Sequence, residues 1–364
     1  MTAEVDLDDP RTYARLDPDD MYRRIAELSA QMDVAWRLAD HADLPASYGQ
    51  TDHVLIAGMG GSAIGGSLLE SYTARQMTVP VSVWRNYGLP AWVDQNTLLI
   101  AVSYSGSTEE TISAFREGQA RGAKLLAIST GGEIERLARE FSAPVLKFQY
   151  PAKPRATVGY LFTPLVRIME RLGLLGRQQE DFDDALSTAR RMEREYGGDM
   201  PASENAAKRL AQACVTKAVV IYGADYLSAV ARRWKTQMNE NAKSWSFFAE
   251  FPELDHNAIV GYEYPKGLGA AIEVIMLDAA ALPARIRLRM DVTQKLLQGF
   301  GVSWDLAQAA GAGPLAQIYS LVSLGDFTSY YLALLNGVDP SIMEPIDFLK
   351  DQLALQQQSV PPAS

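Results

Sequence analysis

Cysteine and histidine are scarce in this sequence of 364 residues, which has one cysteine, Cys214, and three histidines, His41, His53 and His256. A single thiol forms no internal disulfide, and three scattered imidazoles make no histidine-rich metal centre. The expectation is a protein of the reducing cytoplasm without a structural metal. Positive charge is also short: 34 Lys and Arg against 44 Asp and Glu leave a formal charge of −10. General binding to nucleic acid or to an anionic membrane needs net or clustered positive charge, so neither is an expected partner. An anionic ligand must then be recognised by a local site. Long hydrophobic runs are missing too. The longest apolar stretch, GLGAAIEVIMLDAAAL, is broken by Glu273 and Asp278 and reads as core rather than bilayer. The opening MTAEVDLDDPRTYARLDPDD has neither the basic start nor the apolar run of a signal peptide, so no export is expected.

What is present is enough apolar material, 48% of residues, for two ordinary domains. In MYRRIAELSAQMDVAWRLAD, the positions Ile25, Leu28, Met32, Ala35 and Leu38 recur at helical spacing and predict one helix lying outside any sheet. Then HVLIAGMGG, VPVSVWRN, TLLIAVSYSGS, AKLLAIST and APVLKF supply short buried strands, several followed by helical segments. Strands alternating with helices predict a parallel, doubly wound α/β sheet. TVGYLFTPLVRIMERLGLL and the charged stretch after it are helical until Gly197 and Pro201. A boundary between Gly176 and Pro201 gives two domains, 1–190 and 191–364. The second half restarts with AVVIYGADYLSAVARRWKTQMNENAKS, a strand running into a long helix, and looks like a degenerate copy of the first. A strand at AAIEVIML, a helix near RIRLRMDVTQKLLQGF and two C-terminal helices complete it, and the polar tail QQQSVPPAS is expected to fray.

Two turns could hold a phosphate. GMGGSAIGG follows the carboxyl end of a strand and opens a helix, where α/β sheets bind ligands. Its Gly58, Gly60 and Ala63 also satisfy a dinucleotide-binding pattern. The next strand ends in Arg85 and Asn86 rather than in an acid, so an NADP-dependent oxidoreductase stays open as an alternative, as does a purely packing role for the glycines. SYSGSTEET adds Ser103, Ser105 and Thr108 at a second strand-to-helix turn. Hydroxyls and backbone amides converging there suit phosphate oxygens, helped by the helix dipole. The plainer reading is that Ser107 or Thr108 caps the helix.

A GGS turn followed one strand later by S-x-S-G-x-T resembles the sugar isomerase (SIS) domain. KPRATVGY, WKTQMNENAKSW, ELDHNAIVGYE and GDFTSYYLALLNGVDPSIMEPIDFLK together resemble the bifunctional phosphoglucose/phosphomannose isomerases, in order over about residues 20 to 355. The resemblance implies two flavodoxin-like SIS domains and isomerisation of glucose 6-phosphate and mannose 6-phosphate to fructose 6-phosphate. It implies no cofactor and no metal. Gly60, Gly61, Ser62, Ser103, Ser105 and Thr108 would bind the substrate phosphate. SIS domains also serve as non-catalytic phosphosugar sensors, which is the second reading.

Moving a proton between C2 and C1 of a sugar phosphate needs a base, a group for ring opening and a cation for the enediolate. In the resembling family the glutamate of MNENAK, here Glu240, is the base. The histidine of ELDHNAIVGYE, here His256, opens the ring, and does so across a dimer interface, which implies a homodimer. Arg155 in KPRATVGY would steady the enediolate, and Lys350 in IDFLKDQL would stand near the substrate. Archaeal relatives carry a threonine linked to the mannose epimer, where this chain has Ser341, Ile342 and Met343 nearby. The phosphate anchor in the first half is thus expected to face Glu240 and His256 of the second half across a cleft.

Overall fold

The computed structural model describes residues 5–356. The first four residues and the tail from residue 357 lie outside them, and so does the expected fraying of that tail.

Three helices open the chain: α1 (Pro10–Leu16), α2 (Met21–Ala26) and α3 (Leu28–Asp40). The single helix predicted over 21–40 is therefore two, meeting at Glu27, whose φ of −96° and ψ of 15° leave the helical region. Its carboxylate accepts from Arg23 Nε at 2.7 Å and from the Tyr150 hydroxyl at 2.6 Å. The predicted stripe holds: Ile25, Leu28, Met32 and Ala35 are buried, and Leu38 is partly so.

The first sheet contains β1 (His53–Ala57), β2 (Val81–Trp84), β3 (Thr97–Ser103), β4 (Lys124–Ser129) and β5 (Val145–Lys147). All pairs are parallel, in the order β2-β1-β3-β4-β5. Successive side chains of a strand point to opposite faces, so both faces must be covered. Leu98, Ile100 and Val102 of β3 join one cluster with α3, α4 (Gly60–Thr73) and α7 (Val158–Arg171). Leu99 and Ala101 join another with α5 (Glu109–Ala120) and α6 (Gly132–Glu140). This strand order reverses direction between β1 and β3, and open α/β sheets bind ligands at the carboxyl ends of strands at such a reversal. Both predicted phosphate turns leave the sheet there.

Helices α8 (Gln179–Glu195) and α9 (Ala206–Ala213) lead to the second sheet. It holds β6 (Ala218–Ala224), β7 (Ser246–Phe251), β8 (Ile272–Asp278) and β9 (Ser303–Gln308), parallel in the order β7-β6-β8-β9. This repeats the first sheet without its fifth strand. Helix α10 (Ser228–Glu240) follows β6 as α4 follows β1, and α11 (Ala284–Gly299) precedes β9. The apolar stretch around β8 is core, and its interrupting Glu273 is buried against Lys217 at 2.6 Å. Helix α12 (Pro314–Leu335) is buried along almost its whole length and packs on α8, α9 and α10. Helix α13 (Glu344–Gln356) ends the described chain. Among the described residues no helix is long and apolar enough to cross a membrane.

Candidate active site

The two turns leave backbone amides and hydroxyls at the starts of helices. Met59 precedes α4 and cannot cap it with a side-chain oxygen, so the first amides of that helix are left for another acceptor. Thr108 does stand at the N-cap of α5, as the plainer reading expects, but its side chain makes no capping bond. Its hydroxyl instead lies 3.0 Å from that of Ser103. Ser103 is fully buried and also accepts from the Gly106 amide at 3.1 Å, so it braces the turn from beneath. Ser105 is exposed at the rim. Gly106 has φ +68°, and a Cβ there would collide with the carbonyl oxygen of Gly131. Only glycine lets the chain turn so tightly against its neighbour. Ser62 joins the two turns by accepting from the Tyr104 amide at 3.1 Å.

Tyr104 carries this frame to the next segment. Its hydroxyl donates to the Tyr150 carbonyl at 2.6 Å and accepts from the Ala152 amide at 3.0 Å. The chain then makes a 3-10 turn over Pro154–Ala156. There the backbone of Arg155 passes so close to the first phosphate turn that a Cβ on Gly61 would sit 3.0 Å from the Arg155 nitrogen. Glycine at 61 is what permits the approach.

Arg155 crosses from the first half of the chain to the second. Its side chain is 2% exposed, with Nε donating to Asn241 Oδ1 at 2.6 Å and Nη2 to the Pro340 carbonyl at 2.5 Å. Nη1 lies 2.9 Å from Met343 Sδ and 3.6 Å from Glu240 Oε2. Burial pulls the guanidinium below its ordinary pKa, while Glu240 and Asp339 oppose that shift. Glu240 is the last residue of α10, and its side chain keeps 24% of its surface. A buried cation beside a partly open carboxylate can stabilise an oxyanion while the carboxylate moves a proton.

The support beneath this pair is a set of residues that sequence reasoning did not single out. Arg233 and Gln237 on α10 both hold Asp326 of α12, Arg233 through Nη2 to both carboxylate oxygens at 2.6 and 2.8 Å and Gln237 at 2.8 Å. Arg233 also donates to the Arg155 carbonyl at 2.9 Å. Asn241 donates to Ser329 Oγ at 3.0 Å. Arg233, Gln237 and Asn241 stand four residues apart, on one face, and all three are buried. That polar spacing is the one signal in the sequence that could have found them.

His256 and Lys350 do not join the cluster within one chain. Glu240 precedes β7 and His256 follows it, so the strand, about 17 Å at its usual rise per residue, lies between them. His256 is exposed on a 3-10 turn over Glu253–His256. Lys350 is exposed on α13. Within one chain Arg155 links the first phosphate turn to Glu240, while His256, expected from across a dimer interface, stands beyond the far end of β7. Ser341 is buried, with its carbonyl 3.4 Å from Arg155 Nη2.

A cavity of about 620 Å³ lies elsewhere, among Tyr13, Asp17, Tyr22, Asp199 and Tyr330. Its carboxylates, Asp8, Asp17, Asp20 and Asp199, make it a poor place for an anion. Two features weigh against a dinucleotide. The strand order is that of flavodoxin-like sheets rather than of the dinucleotide-binding fold, and Arg85 is bonded to the Ser67 hydroxyl. Among the described residues no three His, Cys, Asp or Glu side chains converge as metal ligands.

Residues 203–353 match the family model described as the bacterial phospho-glucose isomerase C-terminal SIS domain. The bifunctional phosphoglucose/phosphomannose isomerase of Caldicellulosiruptor bescii is 38% identical over 335 residues, covering 92% of this chain and 99% of that one. The one from Thermoplasma acidophilum is 35% identical over 309 residues, 84% of this chain and 91% of its own. A hypothetical protein from Thermus thermophilus, solved by crystallography, matches with a TM-score of 0.75 over 96% of this chain and 93% of that one. At 15% identity that likeness shows the fold. The matches in sequence span both sheets and the arginine–glutamate pair between them, and the chain belongs to the bifunctional phosphoglucose/phosphomannose isomerase family, with SIS-type α/β architecture.

Proposed function

We propose that the protein is a cytoplasmic aldose–ketose isomerase converting glucose 6-phosphate and mannose 6-phosphate to fructose 6-phosphate through a cis-enediolate, without metal or cofactor. The observation that carries this reading is the pairing of Arg155 with Glu240 beside the phosphate turns, the Arg155 backbone resting on Gly61.

The phosphate is held by the open amides at Gly60 and Gly61, by the Ser62 hydroxyl and by Ser105 and Thr108, with Ser103 bracing the second turn; the Ser62 amide itself donates to the Met59 carbonyl at 3.0 Å. Once the ring is open, Glu240 takes the proton from C2. The electron pair left behind forms the C1–C2 double bond, and the C1 carbonyl electrons move onto O1, where the Arg155 guanidinium stabilises the charge. Glu240 then returns the proton to C1 while the O2 proton passes to O1 and O2 becomes the ketone. C2 is planar in this intermediate, so both epimers converge on it if C2–C3 can rotate. Ser341, whose carbonyl lies 3.4 Å from Arg155 Nη2, belongs to the stretch near which archaeal relatives carry a threonine linked to the mannose epimer.

Ring opening is assigned to His256 of the partner subunit in a homodimer, since the histidine of the same chain lies at the far end of β7. Lys350 on α13 is assigned a place at the sugar hydroxyls. Large apolar side chains left exposed support such an interface: Phe348, Leu349 and Leu353 on α13, and Leu288, Val292 and Leu296 along α11. The last three border a groove of about 290 Å³ that reaches Asp255, next to His256.

The test is fructose 6-phosphate formation from each hexose phosphate by purified protein in EDTA. Turnover of both is expected. Stabilisation of the fold by hexose phosphate without turnover or C2 proton exchange would instead make the protein a sensor.

A further inference from the structure

Lys243 stands three residues beyond Glu240 with φ +54°, a left-handed conformation whose ordinary occupant after a helix is glycine. A lysine there calls for a compensating role. Its ammonium has three donors, and all three are used: they reach the carbonyls of Glu240 at 2.8 Å, Asn241 at 3.2 Å and Asp339 at 2.8 Å. The first two belong to the end of α10, where the helix dipole favours a cation. The third belongs to the segment after α12. Asn336 reinforces the same junction by donating to the Ala242 carbonyl at 3.0 Å and to Ser244 Oγ at 3.1 Å.

The two segments so joined are those that hold Arg155. Asn241 takes its Nε, and Pro340 and Met343 take its Nη2 and Nη1. We propose that Lys243 is a positioning residue of the isomerase site: its ammonium fastens the end of α10 to the Asp339–Met343 segment and so fixes the span across which Arg155 is stretched beside Glu240. The inference rests on the isomerase reading above, because the geometry it protects is that of the enediolate step.

The charged groups facing Lys243 are Arg155, Asp339 and Glu240. Burial and the neighbouring Arg155 bring its pKa down to about 8, against the pull of the two carboxylates. Above that pH the amine keeps two donors for three carbonyls, and the clasp loosens. The wild-type kcat is expected to decline as pH rises through about 8, with KM little changed.

Lys243→Gly separates positioning from folding, because glycine suits the backbone there and removes a desolvated charge. K243G should melt within a few degrees of wild type, yet lose kcat by roughly ten- to a hundredfold, the scale of a misplacement of about 1 Å. Its profile should lack the alkaline limb. Lys243→Arg keeps a charge that does not titrate in this range, so it should recover part of the loss and also lack the limb. A K243G kcat within about twofold of an active wild type, or a limb near pH 8 surviving in either variant, overturns the proposal alone. Should K243G fail to fold, the K243R profile decides. A wild type without isomerase activity overturns the reaction and this role together.

Discussion

Nη1 of Arg155 stands 3.6 Å from Oε2 of Glu240, too far for a tight ion pair. The guanidinium cannot close the gap, because Asn241 and the Pro340 carbonyl hold its other nitrogens. The carboxylate is therefore not locked onto its cation, and it can turn towards a substrate carbon. A tighter bridge would stabilise the empty site at the expense of the proton transfer.

Replacing Glu240 by Gln keeps the size of the side chain and removes the base. The kcat should fall by about 10³-fold, within the range for a positioned general base, and solvent deuterium should no longer enter at C2. The KM and the melting temperature should barely move, since Glu240 is partly exposed and makes one loose contact. Turnover within tenfold of wild type would remove Glu240 from the role of base.

At the phosphate turns the effect should fall on binding. Ser105→Ala and Thr108→Val each delete one hydroxyl, and a hydrogen bond to a charged group is worth about 1.5–3 kcal/mol, so KM should rise roughly tenfold or more. The kcat should stay within about threefold, because the phosphate is remote from C1 and C2. Competitive inhibition by inorganic phosphate should weaken in parallel. A fall in kcat at unchanged KM would contradict the assignment. Ser103→Ala should differ from both: its hydroxyl is buried inside the turn, so the loss should show in the melting temperature as well as in KM.

How far the sequence carried these conclusions depends on the kind of contact. β1 and β3 were legible because a strand buried on both faces must be an apolar run, as HVLIA and TLLIAVS are. β7 and β9 were not, because both are edge strands, half exposed, and SFFAEF and SWDLAQ carry no such run. The turns were legible from glycines and hydroxyls close together in the chain, though not that the Thr108 hydroxyl would face Ser103 rather than cap its helix. Arg155 and Glu240 came from the resemblance; Asn241 and Pro340, which hold Arg155, lie far from it in sequence, as Asp326 and Ser329 of α12 lie far from the α10 residues they brace. A bond between α10 and α12 leaves only the four-residue polar spacing on α10 to read, and nothing that names its partner on α12. Lys243 leaves no local spacing to read, because its three acceptors exist only after both segments have folded.

Alkaline pH should unfold the protein through its buried tyrosines. Tyr13, Tyr330 and Tyr331 pack ring on ring, with centroids 5.6 to 6.3 Å apart, and burial raises the pKa of each. Tyr150 and Tyr196 are pushed up to about 12 by burial as well. In the unfolded chain these groups ionise near pH 10. A folded pKa above the unfolded one means that the native state keeps protons the unfolded state has lost. The stabilisation is thus complete below about pH 10 and is progressively withdrawn above it. Melting temperature should be insensitive to these groups up to that pH and then drop steeply, with tyrosinate absorbance appearing together with loss of structure. Tyrosinate absorbance at ordinary pH with the fold intact would contradict this account of the cluster.

The proposal that two subunits share a site can be tested by complementation between two variants. If His256 of one subunit serves Glu240 of the other, a protomer carrying H256A retains a good base and a protomer carrying E240Q retains a good histidine. Unfolded together and refolded as an equal mixture, half of the dimers should be mixed, and each mixed dimer should own one intact site out of two. About a quarter of wild-type activity should return from two preparations that are nearly inactive alone, a figure that follows from random twofold pairing. Were each histidine to serve its own chain, every site in the mixture would still lack one group and no activity would return. The first outcome is the one expected under the proposed dimer, in which the exposed His256 at the far end of β7 serves the other subunit. Refolded mixtures without recovered activity would return ring opening to some other group, and would leave the Arg155–Glu240 pair as the whole of the catalytic apparatus that one chain supplies.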